Sequence, residues 1–405
     1  MLLLLYTVVT ALTAAAMLAL MRRQAAHVSR HRAAVPAAFA GEVSLLEHQK
    51  AADYERARLR LRAAGVVVEL AAALAWAWWG FDALFAAVGG PGLWRGVLFL
   101  VAIGAISAVV DLPLAIWRTF GVERRFGFNR TTPARFLADR AKGATLMLVV
   151  GVPLLIGLLA LMRWRGPWWL GAWAGLVMLT LGLTHAFPRW IAPMFNKFSP
   201  LEGDLRTRIE ALLARCGFTA AGLFVMDASR RSSHGNAYFT GFGRTKRIVL
   251  FDTLIASNTE AELEAVLAHE LGHFKLRHIW AGLARSVLIL FAFCFALGWL
   301  SHQPWLLPAF GINGRGDALA LVVCVVLLQM LSPPLALLGN WISRRHEFAA
   351  DDFARRAVGA EPMASALLRL SRDNASTLTP DPLYALVNFS HPPVPLRIAR
   401  LRAAA

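Results

Sequence analysis

His269, Glu270 and His273 are the residues of this 405-residue chain whose types and spacing are best suited to chemistry. Positions i and i+4 of an α-helix lie about 40° apart, so the imidazoles of His269 and His273 can reach one metal ion. Glu270 projects to one side of this pair, where its carboxylate could take a proton from a water activated by the metal. The pattern predicts a hydrolase site with one Zn²⁺ per chain.

The residues before this pattern indicate that it lies on a helix. Thr259 is followed by an acidic first turn with Glu260 and Glu262, and then by apolar residues at helical spacing up to Ala268. If the two histidines and the glutamate matched by chance, there would be no reason for them to follow a helix start and an apolar helical face. The context therefore favours a metal-binding helix.

The third ligand is expected beyond the last apolar stretch. A catalytic zinc usually takes three protein ligands and leaves one position for water, and Glu347 is the best candidate for the third. Asp351 lies four residues later on the same helical face, where it can hydrogen-bond the distal nitrogen of a ligand histidine. His346 is a rival ligand. The alternative for Glu347 is a solvated acidic residue among neighbouring arginines.

The composition predicts an integral membrane protein, because 57% of the residues are hydrophobic and only 17% are charged. A large soluble core would not contain so many long apolar stretches. The fold class is therefore a polytopic α-helical membrane protein of about seven transmembrane helices. Stretches long enough to cross a hydrocarbon core of about 30 Å are 2–21, 66–88, 94–117, 145–162, 168–187, 279–300 and 317–339.

Four regions follow from these spans. We expect five transmembrane helices with two basic loops in 1–187, a metalloprotease segment in 188–278, two further spans in 279–339, and a C-terminal segment in 340–405 that completes the active site. The smaller elements predicted are a helix at Asp204–Cys216, strands at Gly222–Asp227 and Ile248–Phe251, a turn at 241–244, and a kink at Pro333 and Pro334.

The distribution of arginines and lysines predicts the orientation in the membrane. The connection 22–64 carries nine and 118–144 carries seven, whereas 88–96, 163–167 and 301–316 carry four between them. By the positive-inside rule the N-terminus is outside, the C-terminus is inside and the active site is on the cytoplasmic side. Residues 1–21 are expected to be a retained span, because the positive charges follow the apolar run instead of preceding it.

The net charge of +17 is expected to favour contact with anionic lipids. The positive charge does not indicate nucleic-acid binding, because no nucleic-acid motif accompanies it. The three cysteines do not form a disulfide framework and lack the spacing of a metal site.

Taken in order along the chain, several segments resemble the M48 zinc metalloproteases of the CAAX prenyl protease 1 type, and the resemblance covers nearly the whole sequence. It implies a metalloprotease domain of the zincin-like α+β kind, facing a chamber enclosed by seven helices, with peptides cut near prenylated C-termini. The segments that carry it are 269–273, 347–351, 123–129, 193–198, 233–242 and 390–398.

The resemblance also implies a role for each matching residue. His269, His273 and Glu347 would carry zinc, Glu270 would activate water, and Asp351 would support a ligand. The histidine and arginine of the C-terminal segment, His391 and Arg397, would stabilise the developing oxyanion, a strong catalytic lever because that charge appears only in the transition state. The segment Asn236, Ala237 and Tyr238 would lie on a strand edge that pairs with the substrate backbone.

Three other functions stay open at the level of sequence. The first is quality control of misfolded membrane proteins, as in the HtpX branch of the family. The second is an intramembrane protease of the site-2 type. The charged residues Lys275 and Arg277 disfavour it, because they indicate a site at the membrane interface. Asp111 lies within a span and is expected to line the chamber, not to bind the metal. The third is a metal-binding transporter or scaffold, although structural zinc normally has four protein ligands.

The expected partners are peptide or protein substrates, possibly prenylated, and membrane lipids. The composition, rich in arginine and alanine, and the brief outer loops suggest a bacterial inner-membrane protein, for which prenylated substrates are not expected. The chemistry is thus predicted more closely than the substrate.

Overall fold

The computed structural model describes residues 1–164, 166–218, 221–240 and 247–403, and the predicted turn at 241–244 lies outside them. The α-helices, numbered α1 to α17 in chain order, are Leu2–Arg30, Leu45–Ala75, Phe81–Val88, Leu93–Ile116, Pro133–Met162, Trp168–Ala186, Ala192–Phe195, Asp204–Arg215, Asp252–Ser257, Glu260–Lys275, His278–Ser301, Leu306–Ala309, Asp317–Gln329, Ser332–Val358, Ala360–Asp373, Pro382–Asn388 and Val394–Ala403. Strands β1 to β4 are Phe198–Pro200, Gly222–Met226, Ala237–Thr240 and Arg247–Phe251. Turns of π-helix at Trp76–Gly80, Trp117–Glu123 and Phe187–Ile191 extend α2, α4 and α6, and short 3-10 turns lie at Ala37–Phe39 and Ala228–Arg230.

The predicted membrane spans are present. Six helical segments of the described chain are long and apolar enough to cross a membrane, and α13 with α14 makes a seventh if the bent pair is one span. The two helices of this pair meet at 51°, at a break just before Pro333 and Pro334. The prolines occupy the first turn of α14, where a missing amide donor costs no helical hydrogen bond.

Several span helices are much longer than the membrane is thick. At 1.5 Å per residue, the 29 residues of α1 extend about 43 Å, against a hydrocarbon core of about 30 Å. The connections 22–64 and 118–144, predicted to be basic loops, are therefore largely helical extensions of the spans. Arginine and alanine are good helix formers, so nothing in these segments ends the helix at the membrane surface.

The spans enclose a chamber. Only 6% to 17% of the most apolar window of each span is buried inside the protein. The cavity has a volume of about 1860 Å³ and is lined by residues of α1, α2, α4, α13 and α14 together with the C-terminal segment. Asp111 is among the lining residues, as predicted.

A small sheet supports the part of the chain outside the membrane. The strand order is β1-β2-β4-β3, with β2 and β4 parallel and the outer strands antiparallel to their neighbours. A continuous apolar core packs α8 and the sheet against α10, α15 and α17. The helix at Asp204–Arg215 and both predicted strands agree with the sequence to within one residue at each end. The predicted division of the chain at 339 and 340 falls inside α14.

Candidate metal centre and active site

Helix α10 begins with a capping box that fixes where its histidines lie. The Thr259 hydroxyl accepts a hydrogen bond from the Glu262 amide, and the Glu262 carboxylate accepts one from the Thr259 amide at 2.7 Å. Glu262 is buried and also binds Ser365 and Arg369 of α15. The start of α10 is therefore tied both to its own backbone and to the neighbouring helix.

Gly272 allows α10 to approach α14 closely. A Cβ atom at this position would lie 3.1 Å from the Cα of Ala350 and 3.1 Å from the Cβ of Phe353. Because glycine has no side chain, the two backbones come together at the level where α10 carries its histidines. The same approach brings Glu347, on α14, within reach of His269 and His273.

His269, His273 and Glu347 form a group that can hold a metal ion. Their ligand atoms all lie within 4.8 Å of one another, and the two Nε2 atoms are 3.2 Å apart. The carboxylate oxygens of Glu347 lie 3.5 Å from Nε2 of His269 and 3.2 Å from Nε2 of His273. Oε2 of Glu347 is buried without a hydrogen-bond partner, and such an atom fits a metal ligand. Two imidazoles and a carboxylate are a donor set that zinc prefers.

Asp351 contacts His269 on the side opposite the metal position, and Arg397 contacts Asp351. Oδ1 of Asp351 lies 2.9 Å from Nδ1 of His269, which leaves Nε2 directed at the metal position. Arg397 donates two hydrogen bonds to Asp351, at 2.6 and 2.8 Å, and its Nη1 lies 3.3 Å from Glu347. Burial alone would lower the pKa of His269, but the carboxylates of Asp351 and Glu347 outweigh it, so the pKa is raised.

Glu270 lies next to this group on α10 and is only partly buried. Burial raises the pKa of its carboxyl group above the usual range, against the opposing charges of His269 and His273. Its position beside the ligands is that of a group able to exchange a proton with a water at the metal.

His391 stands on the open side of the centre. Its side chain is 63% exposed, and its Nε2 lies 3.4 Å from Oε1 of Glu347. The donors of Arg397 are mostly committed to Asp351, whereas His391 bonds Ser390 through Nδ1, at 3.0 Å. His391 also lines the chamber, so its ring is accessible from that side.

Asn236, Ala237 and Tyr238 lie at the start of an edge strand. Ala237 and Tyr238 belong to β3 and pair with β4, whereas Asn236 immediately precedes the strand and its carbonyl accepts a hydrogen bond from Phe251. Within the described residues, β3 has no strand on its other side. Asn236 lines the chamber, so the edge begins at the chamber wall.

His278 was not anticipated from the sequence. Its Nδ1 lies 3.1 Å from Nδ1 of His273, and its ring stacks on His346 with centroids 3.9 Å apart. His346, the rival ligand, is thus outside the ligand group, and Glu347 takes that place. His278 is five residues after His273, a spacing that does not by itself bring the two rings together. The contact could have been predicted only if the turn between the two helices were known.

A second polar cluster on the chamber wall was also missed. Glu123 accepts a hydrogen bond from the Tyr54 hydroxyl at 2.8 Å and lies 3.3 Å from Nε2 of His234. The other ring nitrogen of His234 lies 2.8 Å from Oδ1 of Asn374. His234 comes two residues before Asn236, so the cluster fixes the loop that leads into the edge strand.

A helical membrane domain, a chamber and a two-histidine, one-carboxylate group in contact with the chamber-lining His391 define a membrane-embedded metalloendopeptidase. A family model for the five membrane helices of the CAAX prenyl protease N-terminal region matches residues 24–197, and the model of peptidase family M48 matches residues 200–405. The chain therefore belongs to peptidase family M48.

Relatives of known name cover most of the chain. It is 37% identical to the CAAX prenyl protease 1 homolog of Arabidopsis thaliana over 75% of this chain and 72% of the relative. It is 36% identical to CAAX prenyl protease 1 of Saccharomyces cerevisiae over 76% and 72%. The crystal structure of S. mikatae Ste24p matches with a TM-score of 0.93 and 29% identity, over 98% of both chains. The predicted family, fold and enzyme class are confirmed.

Proposed function

We propose that this protein is a zinc endopeptidase in which His269, His273 and Glu347 hold the metal and Glu270 is the general base. The observation that carries the proposal is the ligand group of three side chains, which lies 3.4 Å from His391 on the wall of a chamber large enough for a peptide. Asp351 supports His269, and the edge at Asn236, Ala237 and Tyr238 would pair with the substrate backbone.

The reaction would proceed by direct attack of water, without a covalent intermediate. Bound zinc would lower the pKa of a water molecule and polarise the scissile carbonyl. Glu270 accepts the proton of the attacking water and returns it to the leaving amine. His391, exposed to the chamber, donates a hydrogen bond to the developing oxyanion, and Arg397 contributes its positive charge from behind Glu347.

Replacing Glu270 with glutamine tests the base. The variant Glu270→Gln is expected to retain stoichiometric zinc, because Glu270 is not a ligand, while peptidase activity falls at least about 100-fold. Metal content and cleavage of a fluorogenic peptide are measured on the same preparation. Undiminished turnover by the variant would show that another group takes the proton.

We infer from the names of the relatives that the substrate is a prenylated protein cut near its C-terminus, in contrast to the expectation drawn from the bacterial character of the composition. The competing substrate is a misfolded membrane protein. Cleavage rates on a farnesylated peptide, the same peptide without the lipid, and an unfolded membrane protein separate the two. Equal rates with and without the lipid would remove prenylation as a determinant.

We also propose that the metal centre faces the cytoplasm of a bacterium, with the chain in the inner membrane, the N-terminus outside and the C-terminus inside. The arginine-rich ends of α1, α2 and α5 lie at the same end of the molecule as the metalloprotease part, which supports this orientation. Single cysteines placed after Arg30 and after Gly89 test it by labelling in intact cells. Reagent from outside is expected to reach only the second site.

A further inference from the structure

His391 lies on a short connection between two helices. The connection consists of residues 389–393, between the end of α16 and the start of α17. Two of these residues, Pro392 and Pro393, have a ring that fixes φ, which limits how the connection can bend. The position of His391 therefore depends on how α16 and α17 are held.

One face of α14 contacts both of these helices. Asn340, Arg344, Glu347 and Asp351 follow one another at intervals of four, three and four residues, so their side chains lie along one narrow stripe of the helix. We call these four residues the α14 stripe. Its first two members contact the end of α16, and its last member contacts Arg397 of α17.

Asn340 and Arg344 bind the last carbonyl groups of α16. The side-chain amide of Asn340 donates to the carbonyl of Val387 at 2.8 Å, and Nη1 of Arg344 donates to the carbonyl of Phe389 at 2.6 Å. The last four carbonyls of an α-helix have no partner within the helix, so both side chains act as acceptor-satisfying caps. Phe389 is two residues before His391, which places the Arg344 contact next to the connection.

Arg397 fixes the connection on its other side. It is buried and donates to Asp351 at 2.6 and 2.8 Å. Arg344 and Asp351 lie seven residues apart on α14, about 10 Å along its axis, with Glu347 between them. The connection therefore passes α14 at the level of Glu347, where Nε2 of His391 lies 3.4 Å from Oε1 of that residue.

Arg344 can influence the site only through this connection. Neither Arg344 nor Asn340 is among the described residues that line the chamber, and neither belongs to the ligand group. The half-buried guanidinium of Arg344 has a carbonyl oxygen as its partner, and a charged donor makes a stronger hydrogen bond to such an oxygen than a neutral one.

We propose that Arg344 is a positioning residue of the peptidase reaction. By holding the carbonyl of Phe389, it keeps the ring of His391 beside Glu347, where His391 donates to the developing oxyanion. A donor of this kind acts only within about 0.5 Å of its productive position, so a loose connection would lose most of its effect. Asn340 is the second anchor. Arg344 has this role only if His391 acts as in the proposed peptidase function, on which the proposal rests.

The variant Arg344→Ala tests the anchor. Its kcat is expected to fall at least about tenfold, while KM and the Kd for zinc stay within about twofold of wild type, because substrate and metal keep their own contacts. Peptide cleavage, chelator competition for zinc and the unfolding midpoint are measured on one preparation. A residue that only capped α16 would lower the unfolding midpoint without separating kcat from KM.

Two results of this experiment would overturn the role of Arg344. One is a wild-type kcat in Arg344→Ala, and the other is weakened zinc binding, which would show that Arg344 holds the ligand group instead of His391. Both leave the peptidase function standing. Absence of peptide cleavage by the wild-type enzyme would count against that function itself.

A double-mutant cycle with His391 assigns the effect. His391→Ala alone is expected to lower kcat about 100-fold, as the loss of an oxyanion donor does. Adding Arg344→Ala should then lower kcat by less than about twofold more, because the ring that Arg344 positions is already gone. A further tenfold loss on this background would contradict the proposal.

Arg345→Ala is the matched control. Arg345 is the next residue of α14, it is exposed, and its guanidinium carbon lies 4.6 Å from the ring centroid of Trp341. This variant should keep the wild-type kcat. Arg344→Lys still offers a charged donor, so its kcat should be at least about threefold higher than that of Arg344→Ala. A lysine variant no more active than the alanine variant would contradict the role of the donor.

Asn340→Ala gives an independent measurement should Arg344→Ala fail to fold. Its kcat is expected to fall at least about threefold, with an unchanged Kd for zinc and no further loss when it is combined with His391→Ala. If Asn340→Ala keeps the wild-type kcat, the hold of the α14 stripe on α16 does not position His391, and the proposal is wrong.

Discussion

Asp351 links a histidine of the proposed metal centre to a buried arginine. It bonds His269 on one side and Arg397 on the other, and its side chain is only 1% exposed. A buried carboxylate of this kind fixes the tautomer of a ligand histidine and neutralises a buried guanidinium at the same time. The centre therefore depends on a residue that is not itself a ligand.

The substitution Asp351→Asn removes this charge without changing the shape of the side chain. Zinc affinity is expected to fall about 10- to 100-fold, because the charged acceptor of His269 is replaced by a neutral amide oxygen. The unfolding midpoint should also fall, since Arg397 keeps its burial and loses its closest counter-charge. Competition with a zinc chelator and a thermal scan measure the two effects.

Asp352→Asn is the control for this experiment. Asp352 is the next residue of α14, and it pairs with the exposed Arg400 at 2.8 Å. Removal of an exposed ion pair changes stability by less than about 1 kcal/mol, and zinc affinity should stay at the wild-type value. If Asp351→Asn bound zinc as tightly as Asp352→Asn, the supporting role of Asp351 would be wrong.

At the scale of elements, the packing of α10 on α14 decides the geometry of the centre. Gly272→Ala would normally stabilise a helix by about 1 kcal/mol. Here the added methyl group meets the backbone of Ala350, so we expect the two helices to separate, with weaker zinc binding and lower activity. Chelator titration of zinc measures the effect.

Gly282→Ala provides the comparison. Gly282 lies in α11, where the nearest atom to an added Cβ is 3.9 Å away. This variant should keep zinc affinity and gain slightly in stability, as glycine to alanine changes in open helical positions do. Zinc affinity unchanged by Gly272→Ala would mean that the helix contact has room to adjust.

The cap of α10 predicts a dependence of stability on pH. Burial would raise the pKa of Glu262, but its hydrogen bonds to Ser365, Thr259 and Arg369 outweigh it, and the pKa is lowered. Its contribution to stability is therefore full above about pH 4.3, the ordinary pKa of glutamate, and is lost as the pH falls through the lower folded value.

Glu262→Gln should consequently lower the unfolding midpoint at pH 7, by the equivalent of about 1.5 to 3 kcal/mol for a lost hydrogen bond to a charged group. The difference from wild type should close below about pH 4. Glu260→Gln, at an exposed position of the same turn, should show neither effect. A gap that is constant from pH 7 to pH 3 would exclude the carboxylate charge as its origin.

The sequence was sufficient for the features that depend on local spacing. His269 with His273, and Glu347 with Asp351, each lie on one helix, so helical periodicity alone places them together. His278 turns back to His273 because Arg277 adopts a left-handed conformation with φ of 58°, which a sequence does not reveal for arginine. The contact of His234 with Glu123 joins residues 111 positions apart and depends on the whole fold.

At the scale of the whole molecule, two apolar cores lie on either side of the chamber. One contains Phe99, Trp168 and Phe310 among the spans, and the other contains Ile209, Leu250 and Leu267 in the metalloprotease part. His269, His273 and Glu347, the proposed metal ligands, belong to neither core. Folding of the spans should therefore not require the metal.

Removal of the metal tests this separation. A chelator is expected to abolish peptidase activity while helical content at 25 °C stays unchanged, and added Zn²⁺ should restore activity. The thermal midpoint should rise with free zinc. At a zinc concentration of 100 times the Kd, the free energy of unfolding should increase by about 2.7 kcal/mol. Glu270→Gln should show the same rise without activity. Loss of helical signal on chelation would show that the metal holds the spans together.

Helix α14 joins the membrane to the metal as a single rod. It begins at the 51° bend next to α13 and carries Glu347 fifteen residues later, about 22 Å along its axis. Catalytic groups tolerate displacements of about 0.5 Å, which at this length corresponds to a tilt of only about 1°. A change in bilayer thickness that tilted α14 by this amount would therefore move Glu347 beyond that tolerance.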